Sequence, residues 1–168
     1  VAQSRNTLQN LRRFYAPELE VVQIPLGIRR PSPGTASRAA FGIGEREVVL
    51  VTVGRLVARK AVHQLLALLQ TLKEEPVQLL VLGAGPEEAC LKREAQQRQV
   101  AHRVRWLGHV PEPEKFRLLQ MSDVYVSTSQ HEGFGLVFLE AMASGLPVVC
   151  YDHGGQTDLL EDGSTGYL

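Results

Sequence analysis

Two glutamates eight positions apart, Glu132 and Glu140, frame the segment of this sequence with the most chemical content. Between them runs Gly133-Phe134-Gly135-Leu136-Val137-Phe138-Leu139, and from Gly133 to Tyr151 Glu140 is the only charged residue. The pattern predicts a helix over 136–144 and a strand over 148–151. A helix apolar nearly all round is a buried one. Glu140 shares a stripe with Leu136, Leu139 and Ala143 at i, i+3, i+4 and i+7 spacing, which turns it inward. An inward carboxylate must be paired or hydrogen-bonded, because an unpartnered buried charge is very costly. Two readings follow: Glu140 pairs with a buried Arg or Lys and holds the fold together, or it accepts from the hydroxyls of a ligand. The glycine-flanked turn favours a ligand, since N–H groups of Gly135, Leu136 and Val137 are free there to meet an anion. One carboxylate before a phosphate-ready turn and one behind it suit a polyol joined to a phosphate.

Such residues need elements that carry them to a common place. Ser4 is placed to cap a helix bearing Leu8, Leu11, Phe14 and Tyr15, which Pro17 ends. Residues 21–24 are expected as a short strand, and 29–47 as a long connection with one helical turn near 38–41. The β-branched run 48–53 is expected as a strand buried on both faces. Then come a helix at 62–73, a strand at 77–82, a helix at 86–99 and a strand at 104–107. A helix at 112–121, a strand at 123–127, the 136–144 helix, the 148–151 strand and a last helix at 157–161 complete the series. Parallel strands require such helical crossovers. The alternation predicts an α/β fold, a Rossmann-like doubly wound parallel sheet, with ligands beyond the C-terminal strand ends.

Strand ends are therefore where further site residues are sought. Directly after the 48–53 strand, Gly54 permits a sharp exit from the sheet. Arg55 and Lys60 in the following loop then converge on one anion, Arg as a planar fork and Lys as a mobile point charge. Gly83-Ala84-Gly85 follows the 77–82 strand. Its bland reading is a tight strand-to-helix turn, and its sharper one is close approach of a ligand to the backbone. Glu88 occupies the third glycine position of a dinucleotide fingerprint, which argues against a nicotinamide site. After the 104–107 strand, Pro111 fixes a loop in which Val110 offers backbone groups to a base edge, although a plain connection explains it as well.

Composition limits the alternatives. The chain has 168 residues, one domain's worth, with 44% hydrophobic and 21% charged content, as in a soluble globular protein. Lys plus Arg equals Asp plus Glu at 18 each, so no net field attracts nucleic acid or an anionic membrane. Cys90 and Cys150 are expected as small buried hydrophobes in a reduced compartment. The five histidines are scattered without metal-ligand spacing, and no Asp-x-Asp occurs to bridge a diphosphate through a metal. No signal peptide is recognisable, and glycines, Pro147 and Glu140 interrupt the 133–151 run too often for a membrane span. The chain reads as cytoplasmic.

Gly54-Arg55 with Lys60 five residues on, and the run from Glu132 to Val149 with its glutamates in E-x7-E spacing, together resemble the retaining group 1 (family 4) glycosyltransferases of GT-B fold. The resemblance is to their C-terminal, donor-binding domain and covers nearly the whole chain. It implies residues 1–20 as an interdomain flanking segment and 21–168 as the donor-binding domain, truncated at its C-terminal end. It also implies that a sugar passes from a nucleoside diphosphate, UDP- or GDP-linked, to an acceptor hydroxyl with the anomeric configuration kept. Arg55, Lys60 and Glu132 would be the catalytic residues, the cations holding the diphosphate and Glu132 meeting the transferred sugar. Glu140 would contact the ribose, and Gly54, Gly83, Gly85, Val110, Gly133, Phe134, Gly135, Leu136 and Val137 would line the donor pocket. Neither a metal nor another cofactor is expected.

The resemblance further implies an N-terminal acceptor domain of the same protein, through which any membrane association would come, and makes the piece alone inactive. Departures from the family pattern are Leu26 and Arg29 in the 24–29 segment, Ala61 where Gly is common, and Asp158 where Glu is usual. A non-catalytic homologue acting as a regulatory or interaction subunit is the alternative function. Retention of Arg55, Lys60, Glu132 and Glu140 together argues against it.

Overall fold

The β-branched runs become the centre of one sheet. The computed structural model describes residues 1–15, 17–18, 20–29, 31–34 and 36–168. Its strands are β1 (Val48–Val53), β2 (Val77–Leu82), β3 (Val104–Gly108), β4 (Val124–Ser127), β5 (Val148–Cys150) and β6 (Gly166–Tyr167). They lie in the order β3-β2-β1-β4-β5-β6, and every pairing is parallel. The helices are α1 (Arg5–Phe14), α2 (His63–Thr71), α3 (Glu88–Gln97), α4 (Glu112–Met121) and α5 (Leu136–Ala143). This is the Rossmann-like α/β fold expected, with the strand order reversing between β1 and β4, where such sheets bind ligands.

Alternation along the strands divides the core in two. Val49 and Val51 of β1 pack with Leu80 and Leu82 of β2 under Leu118 and Leu119 of α4 and Phe138 and Ala141 of α5. Leu50, Leu79 and Val81 face the other way, under Leu65, Leu66 and Leu69 of α2 and Leu91 and Ala95 of α3. Each fully buried leucine contributes about 1.5–3 kcal/mol relative to exposure. Coverage on both faces explains why β2 is buried at all of its positions. β1 and β2 pair without a slip from Val48–Val77 to Val53–Leu82, so Gly54 and Gly83 leave the sheet side by side.

Three expectations are corrected. Residues 21–24 form no strand; Gln23 makes one isolated parallel bridge to Ala2 while Val22 and Ile24 stay exposed, so no ladder or buried face sustains them. The last helix is a 3-10 turn at Gly154–Asp158. It starts early because Gly155, whose added Cβ would lie 2.3 Å from the Gly133 carbonyl oxygen, tucks against the 132–134 loop. On α5 the buried face is Phe138 and Ala141, whereas Leu136 and Ala143 are exposed. The inward stripe assigned to Leu136, Leu139, Glu140 and Ala143 is thus one face over from the core.

α1 is tied to the body. Ser4 caps it by accepting from the Thr7 N–H and donates to the Gly133 carbonyl at 2.6 Å. Asp158 accepts from the Arg5 backbone N–H at 2.6 Å and from its side chain at 2.9 Å, and Gln23 joins them. Asp158, a departure from the family pattern, therefore pins the N-terminal segment beside the 132–134 loop.

Candidate functional site

The loops after β1, β2 and β3 enclose an open cleft of about 590 Å³. Its floor is the strand ends Val53-Gly54 and Leu82-Gly83, its sides are Arg55, His109 and Val110, and α4 contributes Glu112 and Lys115. Arg55 is exposed here and forms no ion pair with any described residue. Lys60 lines a smaller recess with Gly54, Arg55 and Ser127. The 54–61 loop is held over the 128–132 loop by four hydrogen bonds. Thr128 Oγ1 donates to the Lys60 and Ala61 carbonyls at 3.0 Å, Gln130 N–H to the Arg59 carbonyl at 2.8 Å, and Arg59 Nη1 to the His131 carbonyl at 2.9 Å. Ala61 is held at φ +47, the left-handed region where a Cβ is disfavoured. The position at which the family prefers Gly is thus one whose backbone asks for it.

Both glutamates of the E-x7-E spacing carry a lysine. Glu132, buried, accepts from Lys60 Nζ, and its backbone carbonyl accepts from the Gly155 N–H at 2.8 Å. Glu140 Oε1 accepts from Lys115 Nζ at 2.6 Å, and both side chains are largely buried, 14% and 17% exposed. The second oxygen, Oε2, is buried and has no hydrogen-bond partner among the described residues. The buried-cation reading of Glu140 is therefore realised in this structure, and its partner is a residue that faces the cleft. Sequence reasoning passed over Lys115. The available signal was a lone cation at i, i+3 and i+4 spacing from Leu118 and Leu119, the counterpart of the lone anion on α5.

Between cleft and α5 lies Tyr125. Its ring meets Phe138 edge-on at 5.6 Å, and its hydroxyl donates to the Val53 carbonyl at 3.4 Å. Burial, helped by Glu132, pushes the phenol far above its ordinary range, so it stays a neutral spacer. Gly135 has φ +88, and a Cβ there would lie 2.3 Å from the Phe138 ring, so glycine lets the chain turn beneath it into α5. The N–H groups of Gly135, Leu136 and Val137 donate to no loop or cap carbonyl among the described residues. They remain free for an anion, although they do not line the cleft wall.

Gly83 and Gly85 have a structural reason that needs no ligand. A Cβ on Gly83 would stand 1.9 Å from the Gly54 carbonyl oxygen, and one on Gly85 2.2 Å from that of Leu56. The close approach expected at this turn is made by the chain's own neighbouring loop, and Gly83 alone of the two also lines the cleft. Gly133 is different: nothing lies within 4 Å of an added Cβ.

The cysteine expectation is half right. Cys150 is buried, while Cys90 is exposed on α3. Burial, with Asp152 and Glu132 adding, pushes the Cys150 thiol up to about 11. The thiolate is the reactive form, so iodoacetamide at pH 8 is expected to label Cys90 quickly and Cys150 only after unfolding or toward pH 11. Peptide mass mapping after a timed pulse checks this; equal labelling of the two at pH 8 would contradict it. Among the described residues no cluster of three or more His, Cys, Asp or Glu could hold a metal, and no helix is long and apolar enough to cross a membrane.

Comparison with known proteins fits this geometry. A family model described as glycosyl transferases group 1 matches residues 35–168. Glycogen synthase of Mycobacterium tuberculosis is 33% identical over 150 residues, 88% of this chain and 33% of that protein. The GDP-mannose-dependent alpha-(1-6)-phosphatidylinositol monomannoside mannosyltransferase of Mycolicibacterium smegmatis is 32% identical over 178 residues, covering 97% of this chain and 46% of that protein. The pneumococcal O-GlcNAc transferase GtfA, solved with UDP and GlcNAc, superposes with a TM-score of 0.71 at 28% identity, over 95% of this chain and 30% of that one. The chain thus spans between about a third and a half of the length of these relatives.

Proposed function

The chain belongs to the group 1 glycosyltransferases, and from that premise we propose that it forms the donor-binding part of a sugar transferase. Its substrate is a nucleoside-diphosphate sugar, UDP- or GDP-linked, and the sugar passes to an acceptor hydroxyl with retention of anomeric configuration. The observation that carries this is the cleft at the ends of β1–β3, with Arg55 at its side in no ion pair with any described residue, Lys115 of the Lys115–Glu140 pair on its wall, and Lys60 of the Lys60–Glu132 pair in a recess that shares Gly54 and Arg55 with it. The nucleoside lies along Val110 toward Glu140, and the diphosphate lies over Gly54 and Gly83. Arg55 and Lys60 meet its charge.

In the transfer, a bond forms from the acceptor oxygen to the anomeric carbon as the bond to the diphosphate oxygen breaks, and the proton of the acceptor hydroxyl passes to the departing diphosphate oxygen. The charge gathering on the leaving diphosphate is what Arg55 and Lys60 stabilise, and such electrostatic preorganisation is commonly the largest catalytic term. Lys60 need not abandon Glu132, since an ammonium has three donors and this pair uses one. Glu132, held in place by Lys60 and Gly155, meets the hydroxyls of the transferred sugar.

Titration calorimetry with UDP, GDP, ADP and NAD tests the reading. A nucleoside diphosphate is expected to bind, NAD is not, and EDTA is expected to leave affinity unchanged because protein cations meet the diphosphate. Arg55→Ala removes a charge-assisted hydrogen bond of about 1.5–3 kcal/mol, so affinity should fall roughly tenfold to a hundredfold. Folded protein that gives no heat with any nucleoside diphosphate would overturn the assignment.

A further inference from the structure

The loop that carries Glu132 has little stiffness of its own. Gly133 has open space around an added Cβ, and Gly135 turns at φ +88, so glycines flank Phe134 on both sides. The carbonyls of Glu132 and Gly133 are nevertheless both held. That of Glu132 accepts from the Gly155 N–H at 2.8 Å. That of Gly133 accepts from two hydroxyls in the first turn of α1, Ser4 Oγ at 2.6 Å and Thr7 Oγ1 at 3.3 Å. A helix cap needs only an acceptor, which Ser4 supplies to the Thr7 N–H at 3.0 Å. The hydroxyl hydrogen of the fully buried Ser4, aimed at a carbonyl 129 positions away, is a second use of the same group. α1 is tied again by Asp158, whose side chain is only 8% exposed. Its carboxylate takes the Arg5 backbone N–H at 2.6 Å, one of the unpaired donors of a helix start, where an anion also suits the helix dipole. Asp158 ends the turn that Gly154 begins, so both ties lead to backbone in contact with Glu132.

We propose that the first turn of α1 is a clasp for Glu132, with Ser4 and Thr7 as positioning residues that touch no substrate. The inference rests on the reading of Glu132 as the residue that meets the transferred sugar. Lys60 bonds to the Glu132 carboxylate but does not fix the backbone behind it. A lysine is a point charge on a flexible stem, so that pair alone would let carboxylate and ammonium swing together. The two hydroxyls on the Gly133 carbonyl and the Gly155 bond to the Glu132 carbonyl fix the peptide planes on both sides of the Gly133 α-carbon. Glycine at that position cannot do so by itself. Such precision matters, because a misplacement of about 1 Å at a reacting group is enough to cost a large part of the rate. The consequence is selective. The clasp acts on the sugar end of the ligand, whereas the diphosphate is met by Arg55, Gly54 and Gly83 from other loops.

The test compares affinity for a nucleotide sugar with affinity for its nucleoside diphosphate, by calorimetry on the 168-residue chain. UDP-glucose is set against UDP and GDP-mannose against GDP, and the pair that binds more tightly is kept. Ser4→Gly combined with Thr7→Val removes both donors to Gly133, while glycine still caps a helix nearly as well as serine. The ratio of sugar-bearing to sugar-free affinity is expected to fall about threefold to tenfold, with the diphosphate alone changed by less than about twofold. Ser4→Thr, which keeps the hydroxyl, should retain the wild-type ratio. Both affinities falling by one factor, or neither changing, overturns the proposal, because a helix that only supports the fold does not distinguish the two ligands. Should the double variant not fold, Thr7→Val and Asp158→Asn each loosen one tie, and a ratio unchanged in both is equally fatal. Glu132→Gln separates this inference from the reading beneath it. A ratio that falls there but not in the clasp variants sinks the clasp alone. A ratio unmoved by Glu132→Gln, or a wild type that binds the diphosphates but neither nucleotide sugar, sinks the sugar contact of Glu132 and the clasp with it.

Discussion

Gly83→Ala is expected to cost about 3 kcal/mol or more, a drop of roughly 6–12 °C in melting temperature for a domain of this size. Two independent effects combine. Gly83 has φ +139, a conformation rare for residues with a side chain, and its added Cβ would stand 1.9 Å from the Gly54 carbonyl oxygen. The obstacle is backbone, so no rotamer change relieves it. Gly54 cannot retreat, because its N–H donates to the Leu82 carbonyl at 2.9 Å and β1 is locked to β2 along its length. Gly133→Ala is the control, with open space around the added methyl, and should stay within about 0.5 kcal/mol. Urea melts of the two variants decide the matter. Equal stabilities would mean that the loops after β1 and β2 yield freely, and that the paired strands do not hold the floor of the cleft rigid.

That glycine shows how far sequence reasoning reaches. A glycine pair straight after a β-branched run says that something approaches the backbone, but not whether it is a ligand or a neighbouring loop. Strand and helix positions were legible because hydrophobic periodicity is local, and the doubly wound sheet followed from their alternation. The segment at 21–24 had the composition of a strand without a partner to pair with, and pairing is not local. On α5 the apolar residues run almost all round, so a stripe could be drawn through Glu140 as readily as through Phe138 and Ala141. Only the packed core chooses between them. Lys115 was invisible for the same reason. Its meaning lies in an acceptor 25 positions later, and neither charge alone reveals the other. Ala61 runs the other way: it was noticed as a departure from a family pattern, and its left-handed backbone supplies the physical reason.

The pair of Lys115 and Glu140 also carries a large expected coupling. Glu140→Leu should destabilise the protein by about 3 kcal/mol, and Lys115→Met by a similar amount, because each leaves a mostly buried charge without its partner. The loss lies at the lower end of the range for buried pairs, since 17% of the Lys115 side chain and 14% of that of Glu140 still meet solvent. Made together, the substitutions remove both charges and leave apolar side chains of similar volume against Leu118, Leu119 and Phe138. Such replacements are often neutral or better, so the double variant should lie within about 2 kcal/mol of wild type. The sum of the single losses would be about 6, and the difference measures the interaction. Urea unfolding of the four proteins supplies all the terms, and losses that simply add would mean that the contact is a surface pair of no consequence. A second measurement on the same proteins separates support of the fold from function. If the pair served the fold alone, the double variant would recover nucleotide affinity along with its stability. Recovered stability with affinity still about tenfold down is the expected outcome, because leucine and methionine can fill the space between α4 and α5 but cannot bond to a hydroxyl.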